Sequence, residues 1–198
     1  VTGTLGPNLA TDWEARFRAE RTPWERPTLH PAFLSWRGTG TLSPCRIMLP
    51  GAGRSGEPLA LAQDGFDVTV VDAAPTAVGV QRTRFQAMGL PGTIQQADLL
   101  DWAASAPFDA IYDQTCLCAL PPAILPTYAA QLRLWLRPGG RLFVLLMQTG
   151  KAGGPPFDCP IEAMRILFGA GWVWPESFGA PVAHNLGGTE IPVVLERG

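Results

Sequence analysis

The chain has 198 residues, 46% of them apolar and 16% charged, with 15 basic against 17 acidic side chains and a net charge of −2. That length favours a single domain whose core is large enough to need no staples, and the apolar fraction excludes a disordered chain. No basic stripe of the kind a nucleic acid requires is visible, and the longest apolar runs, such as Leu142 to Met147, are too short to cross a bilayer.

Residues 1–45 read as an irregular segment. Asp12 is placed to cap a short helix that sets Trp13 and Phe17 four apart on one face, and Pro23, Pro27, Pro31 and Pro44 punctuate the rest. From Arg46 the pattern becomes strand, turn, helix, repeated. Residues 46–49 form a strand that runs into Pro50-Gly51-Ala52-Gly53, 57–64 a helix closed by Gly65, and 66–72 a β-branched strand. Residues 75–88 form a helix with Gly89 just past its end. A weaker strand follows at 92–96, another at 108–112, a helix at 122–136, the turn Pro138-Gly139-Gly140, and a strand at 141–147. The tail differs: a helix at 161–168 precedes two strands, 172–178 and 191–196, with no helix between them. That pair is expected to be antiparallel at one edge. The alternation predicts an α/β fold with a largely parallel sheet.

Four cysteines, Cys45, Cys116, Cys118 and Cys159, match no zinc spacing. Cys116 and Cys118 follow a strand on one side of it and are expected to be small packing residues. Reduced thiols, and the lack of a basic stretch leading into an apolar one at the start, give the expectation of a cytoplasmic protein without membrane contact. Trp102, Trp135, Trp172 and Trp174 are expected to pack on the sheet, His184 to lie in a surface loop and Asp109 to be exposed.

Gly51-Ala52-Gly53-Arg54-Ser55-Gly56 fits G-x-G-x-x-G between a strand and a helix. Glycines there let backbone approach a ligand and leave amide donors at a helix start. Asp72 ends the next strand, 21 residues after Gly51. A carboxylate at that place accepts two hydrogen bonds from a ribose diol. The pattern fits a dinucleotide or S-adenosylmethionine. Three features favour the second: Asp98 after the third strand as acceptor for an adenine amino group, the strand 108–113 ending in Asp113, and the Pro138-Gly139-Gly140 turn. The sole lysine, Lys151, and both histidines, His30 and His184, fall in loop-like stretches rather than beside a nicotinamide. Asp98 and Asp113 have a plainer alternative as turn or helix-capping carboxylates.

These residues resemble the class I S-adenosylmethionine-dependent methyltransferases, and more narrowly the thiopurine S-methyltransferase family in its thiol and halide branch. Trp13-x-x-Arg16-Phe17 and Thr22-Pro23-Trp24 match the family's N-terminal pattern. Leu49-Pro50-Gly51-Ala52-Gly53-Arg54 matches its glycine turn, and Phe66 through Asp72 its second strand. Tyr112-Asp113 with Cys118-Ala119-Leu120 matches the substrate-facing stretch, and Gly153 to Phe157 a loop of the thiol/halide branch. The resemblance implies one Rossmann-like domain over 1–198, with 1–45 as a lid and 46–198 as the core. It also implies a mostly parallel seven-stranded sheet with an antiparallel C-terminal edge.

Carried onto these positions, the resemblance places Trp13, Phe17 and Trp24 against S-adenosylmethionine, and Gly51 and Gly53 at its methionine part. It gives Asp72 the ribose, Asp98 and Leu99 the adenine, and Asp113 the methionine end. Tyr112, Asp113 and Gln114 face the acceptor, with Tyr112, Cys116 or Tyr128 as groups that orient a thiol. Two positions and one stretch depart from the family: Ala52 replaces the usual cysteine, Gln114 stands where thiopurine-active members carry arginine, and Arg54-Ser55-Gly56-Glu57 differs from the commoner R-G-[YH]-D. The implied reaction is methyl transfer to a small soft nucleophile, a thiol or hydrosulfide, releasing S-adenosylhomocysteine. A thiol is already about 3% thiolate at pH 7, so a dedicated base is optional. Alternatives are a halide, selenium, arsenic, oxygen or nitrogen acceptor, a nicotinamide-dependent oxidoreductase, or a non-catalytic binder of S-adenosylmethionine. A small-molecule partner and a monomer are the expectations.

Overall fold

The computed structural model describes residues 7–198, with side chains from Asp12 onward. The chain forms two compact units, Val1–Trp102 and Ala103–Gly198; its first six residues, part of the expected lid, lie outside the described residues.

In the first unit, β1 (Arg46–Pro50), β2 (Asp67–Asp72) and β3 (Thr93–Gln96) run parallel in the order β3-β2-β1. β1 and β2 are apolar and β-branched because strands of a parallel sheet are covered on both faces: Ile47, Met48, Val68, Val70 and Val71 are all fully buried. Four helices accompany them: α1 (Pro7–Arg18), α2 (Pro31–Gly38), α3 (Glu57–Gln63) and α4 (Pro75–Met88). α4 has the predicted bounds and ends at Gly89 with φ +61°, the left-handed residue that turns the chain back.

The N-terminal segment is more regular than its prolines suggest. α1 starts at Pro7, so Asp12 is an exposed residue within the helix rather than its cap. α2 is a helix within the stretch expected to be irregular. Pro31 occupies its first turn, where a missing N–H costs nothing, and the buried His30 caps it, Nδ1 accepting the Ala32 N–H at 3.1 Å. His30 is therefore a structural residue, and its own N–H donates to the buried Glu57 carboxylate at 2.8 Å.

The second unit holds β4 (Phe108–Asp113), β5 (Leu136–Gln148), β6 (Trp172–Val173), β7 (Val182–Ala183) and β8 (Thr189–Arg197). β4 and β5 are parallel; β8 lies antiparallel on β5, and β6 and β7 both pair antiparallel with β8. α5 (Leu125–Trp135) and α6 (Ile161–Leu167) complete it, and Tyr128, Trp135, Phe143 and Phe168 are fully enclosed in its core. The antiparallel C-terminal edge is as expected.

Several boundaries differ, for local reasons. The predicted helix 122–136 opens with a 3-10 turn, Pro122–Ile124, before α5 begins. β5 begins at Leu136, with Pro138-Gly139-Gly140 inside it and a register shift opposite Phe108–Ala110; a bulge absorbs the glycines. The strand expected over 172–178 stops at Val173, because Trp174 turns to donate its indole N–H to the Phe168 carbonyl at 2.8 Å. The Arg165 guanidinium lies over the Trp174 and Phe178 rings at 4.6 and 5.7 Å. β7, two residues long, raises the strand total among the described residues to eight rather than seven. His184 is buried rather than on the surface, its Nδ1 accepting the Leu186 N–H, and Asp109 is half-buried in an ion pair with Arg137. Of the four tryptophans expected on the sheet, only Trp135 is buried; Trp102, Trp172 and Trp174 are half-exposed.

Candidate functional site

The glycine turn follows β1 directly. Gly51 and Gly53 both adopt φ +55°, a conformation that disfavours any side chain. Gly51 donates to the Val71 carbonyl and Gly53 donates to Asp72 Oδ2, each at 2.8 Å. Asp72 Oδ1 accepts the Ala74 N–H, also at 2.8 Å. The Asp72 carboxylate is thus buried at the end of β2 with a backbone donor on both of its oxygens. Burial pushes its pKa up, and the N–H groups of Ala74 and Gly53 pull against that.

A carboxylate has about four acceptor sites, and its backbone donors do not fill them all. The capacity left suits a hydroxyl donor, such as one of a ribose diol.

α4 grips the same turn by its carbonyls. Gln81, fully buried, donates to the Gly53 and Ser55 carbonyls at 2.9 and 3.0 Å, and Arg84 to those of Arg54 and Ser55 at 2.6 and 3.0 Å. Sequence reasoning missed this pair. The available signal was their spacing of three on a predicted helix, which puts both on one face.

Three aromatic residues lie over the turn. Phe17 is buried with Ala74 and Ala77, and Trp24 packs against that cluster. Trp24 meets Trp13 and Phe17 edge-on, with ring centroids 5.2 and 5.8 Å apart. A Cβ on Gly53 would come within 3.2 Å of the Phe17 ring, so the second glycine of the turn is what admits Phe17. Glu14 fixes the other side of α1: its carboxylate accepts the Thr76 N–H at 2.9 Å and the Thr76 hydroxyl at 2.7 Å, at the start of α4. Trp13, Phe17, Trp24, Gly53 and Asp72 are therefore brought together.

Asp98 and Leu99 lie just beyond β3. Asp98 Oδ1 accepts the Leu100 N–H at 2.9 Å and its carbonyl takes the Asp101 and Trp102 N–H groups, so this aspartate organises its own turn. That turn is tied to the end of β2, Ala97 donating to the Asp72 carbonyl at 3.1 Å. Leu99 is buried.

In the second unit, β4 delivers Tyr112 and Asp113 and then bends sharply. Thr115 has φ +64°, a strained conformation for a β-branched residue, and its hydroxyl donates to the Gln114 carbonyl. The bend converts the expected extended run through Cys116 and Cys118 into the 3-10 turn Leu117–Ala119. Both cysteines are buried as expected, but through that turn rather than by strand alternation. The Tyr112 hydroxyl donates to Gln114 Oε1 at 2.7 Å, which brings two of the three acceptor-facing candidates together.

Asp113 is fully buried and engaged on both oxygens. Oδ1 accepts the Leu117 N–H at 3.0 Å and Oδ2 the Tyr128 hydroxyl at 2.8 Å. Burial pushes its pKa up to about 6, against the pull of those two donors and the Cys116 N–H. Burial also pushes the Tyr128 phenol and the Cys118 thiol well up, and the Cys159 thiol up to about 12. The Tyr128 phenol and the two thiols keep their protons at neutral pH, and neither cysteine supplies a thiolate. Among the described residues no cluster of histidine, cysteine and carboxylate could hold a metal, and no helix is long and apolar enough to cross a membrane.

The thiopurine S-methyltransferase family model matches residues 9–186. Probable thiol methyltransferase 2 of Arabidopsis thaliana is 29% identical over 174 residues, covering 85% of this chain and 76% of that protein. Thiopurine S-methyltransferase of Pseudomonas fluorescens (strain SBW25) is 29% identical over 181 residues, covering 81% and 82%. Thiocyanate methyltransferase 1 of Arabidopsis thaliana is 26% identical, covering 77% and 69%. Among solved structures, 1,6-didemethyltoxoflavin-N1-methyltransferase of Burkholderia thailandensis, with 1,6-didemethyltoxoflavin and S-adenosylhomocysteine bound, superposes with TM-score 0.75 at 20% identity, covering 96% of this chain and 87% of that one. At that identity the likeness speaks for the Rossmann-like methyltransferase fold. With a family match over most of its length and that fold, the chain belongs to the thiopurine S-methyltransferase family and is an S-adenosylmethionine-dependent methyltransferase.

Proposed function

We propose that this enzyme methylates a small thiol or hydrosulfide on sulfur. The observation that carries the reading is the state of Asp113. It is the carboxylate of the acceptor-facing stretch, and both its oxygens are committed to Leu117 and Tyr128 inside the fold. A nucleophile that arrives already anionic needs no proton removed, and a thiolate does so at neutral pH where an alcohol does not. Three relatives carry names for thiol, thiopurine and thiocyanate acceptors, and all three name sulfur compounds.

Bound S-adenosylmethionine supplies an electrophilic methyl group on a sulfonium. In this reading Asp72 accepts the ribose hydroxyls, Gly51 and Gly53 admit the backbone to close range, and Asp98 with Leu99 takes the adenine. Trp13, Phe17 and Trp24, in the N-terminal segment to residue 45, cover the ligand and exclude water. An apolar cover raises the reactivity of a soft anion by stripping its hydration. Tyr112 fixes the Gln114 carboxamide through its oxygen, which leaves the amide N–H groups to orient the acceptor sulfur, and Asp113 holds the 113–117 bend in place. Gln114 is neutral, so a short acceptor fits it better than a bulky anionic heterocycle.

The test is S-adenosylhomocysteine release by purified enzyme with hydrosulfide, methanethiol, a benzenethiol, a thiopurine, iodide and a catechol. Turnover highest with hydrosulfide or methanethiol supports the reading. Turnover of the catechol without any thiol overturns it. Iodide is the second reading, since a halide also needs no base; it prevails if iodide outpaces every thiol.

A further inference from the structure

Arg54, inside the glycine turn, spends all five of its N–H donors on the N-terminal segment. Nε and one Nη2 proton go to the two oxygens of Glu25 at 2.7 and 2.9 Å, and the other Nη2 proton to the Thr22 hydroxyl at 2.8 Å. Nη1 serves both Glu20 oxygens at 2.9 and 2.8 Å. Thr22 in turn donates to Glu25 at 3.0 Å, and the guanidinium lies 5.6 Å from the Phe17 ring centroid. The side chain is 15% exposed, so the Glu25 pair lies largely out of water. The backbone carbonyl of Arg54 is held by Arg84 on α4. One residue thus joins the glycine turn, α4 and the segment that carries Phe17 and Trp24.

Glu20 shows what this clasp costs. α1 ends with Glu20 donating to the Phe17 carbonyl and Arg21 to that of Arg16. This is the closing pattern whose left-handed residue is ordinarily glycine. Here that residue is Glu20, at φ +52°. A side chain is kept where the backbone disfavours one, and that side chain reaches Arg54.

We propose that Arg54 is a positioning residue which, through Glu20, Thr22 and Glu25, keeps the N-terminal segment on the glycine turn and sets the rate at which nucleoside ligand leaves. The proposal rests on the assignment of Gly53, Asp72 and the covering aromatics to S-adenosylmethionine. The clasp acts on dissociation, since it must open to release ligand but takes no part in the contacts the ligand makes. It is ionic and borders water at Glu20, whose side chain is 73% exposed, so added salt weakens it.

The experiment is stopped-flow tryptophan fluorescence of S-adenosylhomocysteine association and dissociation, with wild type, Glu25→Gln and Glu20→Gly, each at low and high sodium chloride. Melting temperature is recorded alongside. Glu25→Gln is expected to raise the dissociation rate about tenfold, the worth of a charged hydrogen bond, and to leave association within about twofold. Glu20→Gly is expected to raise it about two- to threefold, as an exposed pair should, with the melting temperature unchanged or higher because glycine relieves the left-handed residue. The wild-type dissociation rate rises with salt, and that of Glu25→Gln rises less. Dissociation rates equal to wild type in both variants overturn the clasp while leaving the cradle assignment standing, as does a rise seen only with a matching fall in melting temperature. A wild type that binds no S-adenosylhomocysteine overturns both.

Discussion

Gly53 donates its backbone N–H to Asp72 Oδ2 at 2.8 Å, so the turn that admits a ligand and the carboxylate that would receive it are one unit. Asp72 therefore has two roles, one in shaping the turn and one in accepting from a bound sugar. Asp72→Asn keeps an acceptor of the same shape and separates them. S-adenosylhomocysteine affinity is expected to fall about ten- to a hundredfold by calorimetry, the range for hydrogen bonds to a charged group. Asp72→Ala is expected to weaken binding further and to lower the melting temperature, because the N–H groups of Gly53 and Ala74 lose their acceptor. Unchanged affinity in both variants would place the sugar elsewhere.

Gly53→Ala introduces a side chain at φ +55° and sets a carbon 3.2 Å from Phe17. The backbone term alone costs about 1–2 kcal/mol. Urea unfolding should show a loss of at least that size, and tryptophan fluorescence should report a displaced Trp13–Trp24 pair.

Asp113 makes stability depend on pH with a definite sign. Its pKa rises from 3.8 in the unfolded chain to about 6 in the folded one, so between those values the folded state holds the extra proton. Its contribution is most favourable below pH 3.8 and is lost as pH rises through about 6, for a total of about 3 kcal/mol. Asp113→Asn removes this window. Its oxygen can accept from Leu117 and its amide can donate to the Tyr128 oxygen. The stability of Asp113→Asn relative to wild type is expected to rise between pH 4 and pH 7.5, by urea denaturation at each pH. A difference that stays flat across that range contradicts it. Asp113→Ala leaves two buried donors unpaired and should cost about 2–4 kcal/mol at neutral pH.

Tyr112→Phe removes the hydrogen bond that orients Gln114. With a small thiol, kcat/KM is expected to fall about tenfold, by loss of a positioned contact, while affinity for S-adenosylhomocysteine stays at the wild-type value. Across pH, log kcat/KM in wild type should climb with unit slope toward the pKa of the acceptor thiol, about 8.5 for an ordinary one.

Much of the first unit was legible in the sequence because its signals are local. A β-branched run, a proline at a helix start and a glycine past its end gave α4 to the residue, and G-x-G with a following aspartate marked Gly53 and Asp72, though not the hydrogen bond that joins them. The partners of that turn were not legible. Gln81, Arg84 and Arg54 belong to it through contacts over roughly thirty residues of sequence, and nothing in composition marks which charged side chain of a helix turns inward. In the second unit the strained Thr115 hid the bend after β4, since threonine reads as a strand former. His184 does lie in a loop, just past β7, but its burial there was not legible, since nothing local marks that its Nδ1 accepts the Leu186 N–H.

Glu14 has a consequence for how the chain comes apart. α4 follows Ala74, whose side chain offers no cap, and the missing acceptor for the Thr76 N–H comes from Glu14, 62 residues before Thr76 in the chain. Detaching α1 therefore strips the first turn of α4 of its terminus, and α4 in turn carries the Gln81 and Arg84 contacts that shape the glycine turn. Amide exchange at Thr76 and at Gly53 should respond together when α1 is loosened. Removing residues up to 18 would produce a misshapen cradle rather than an open one.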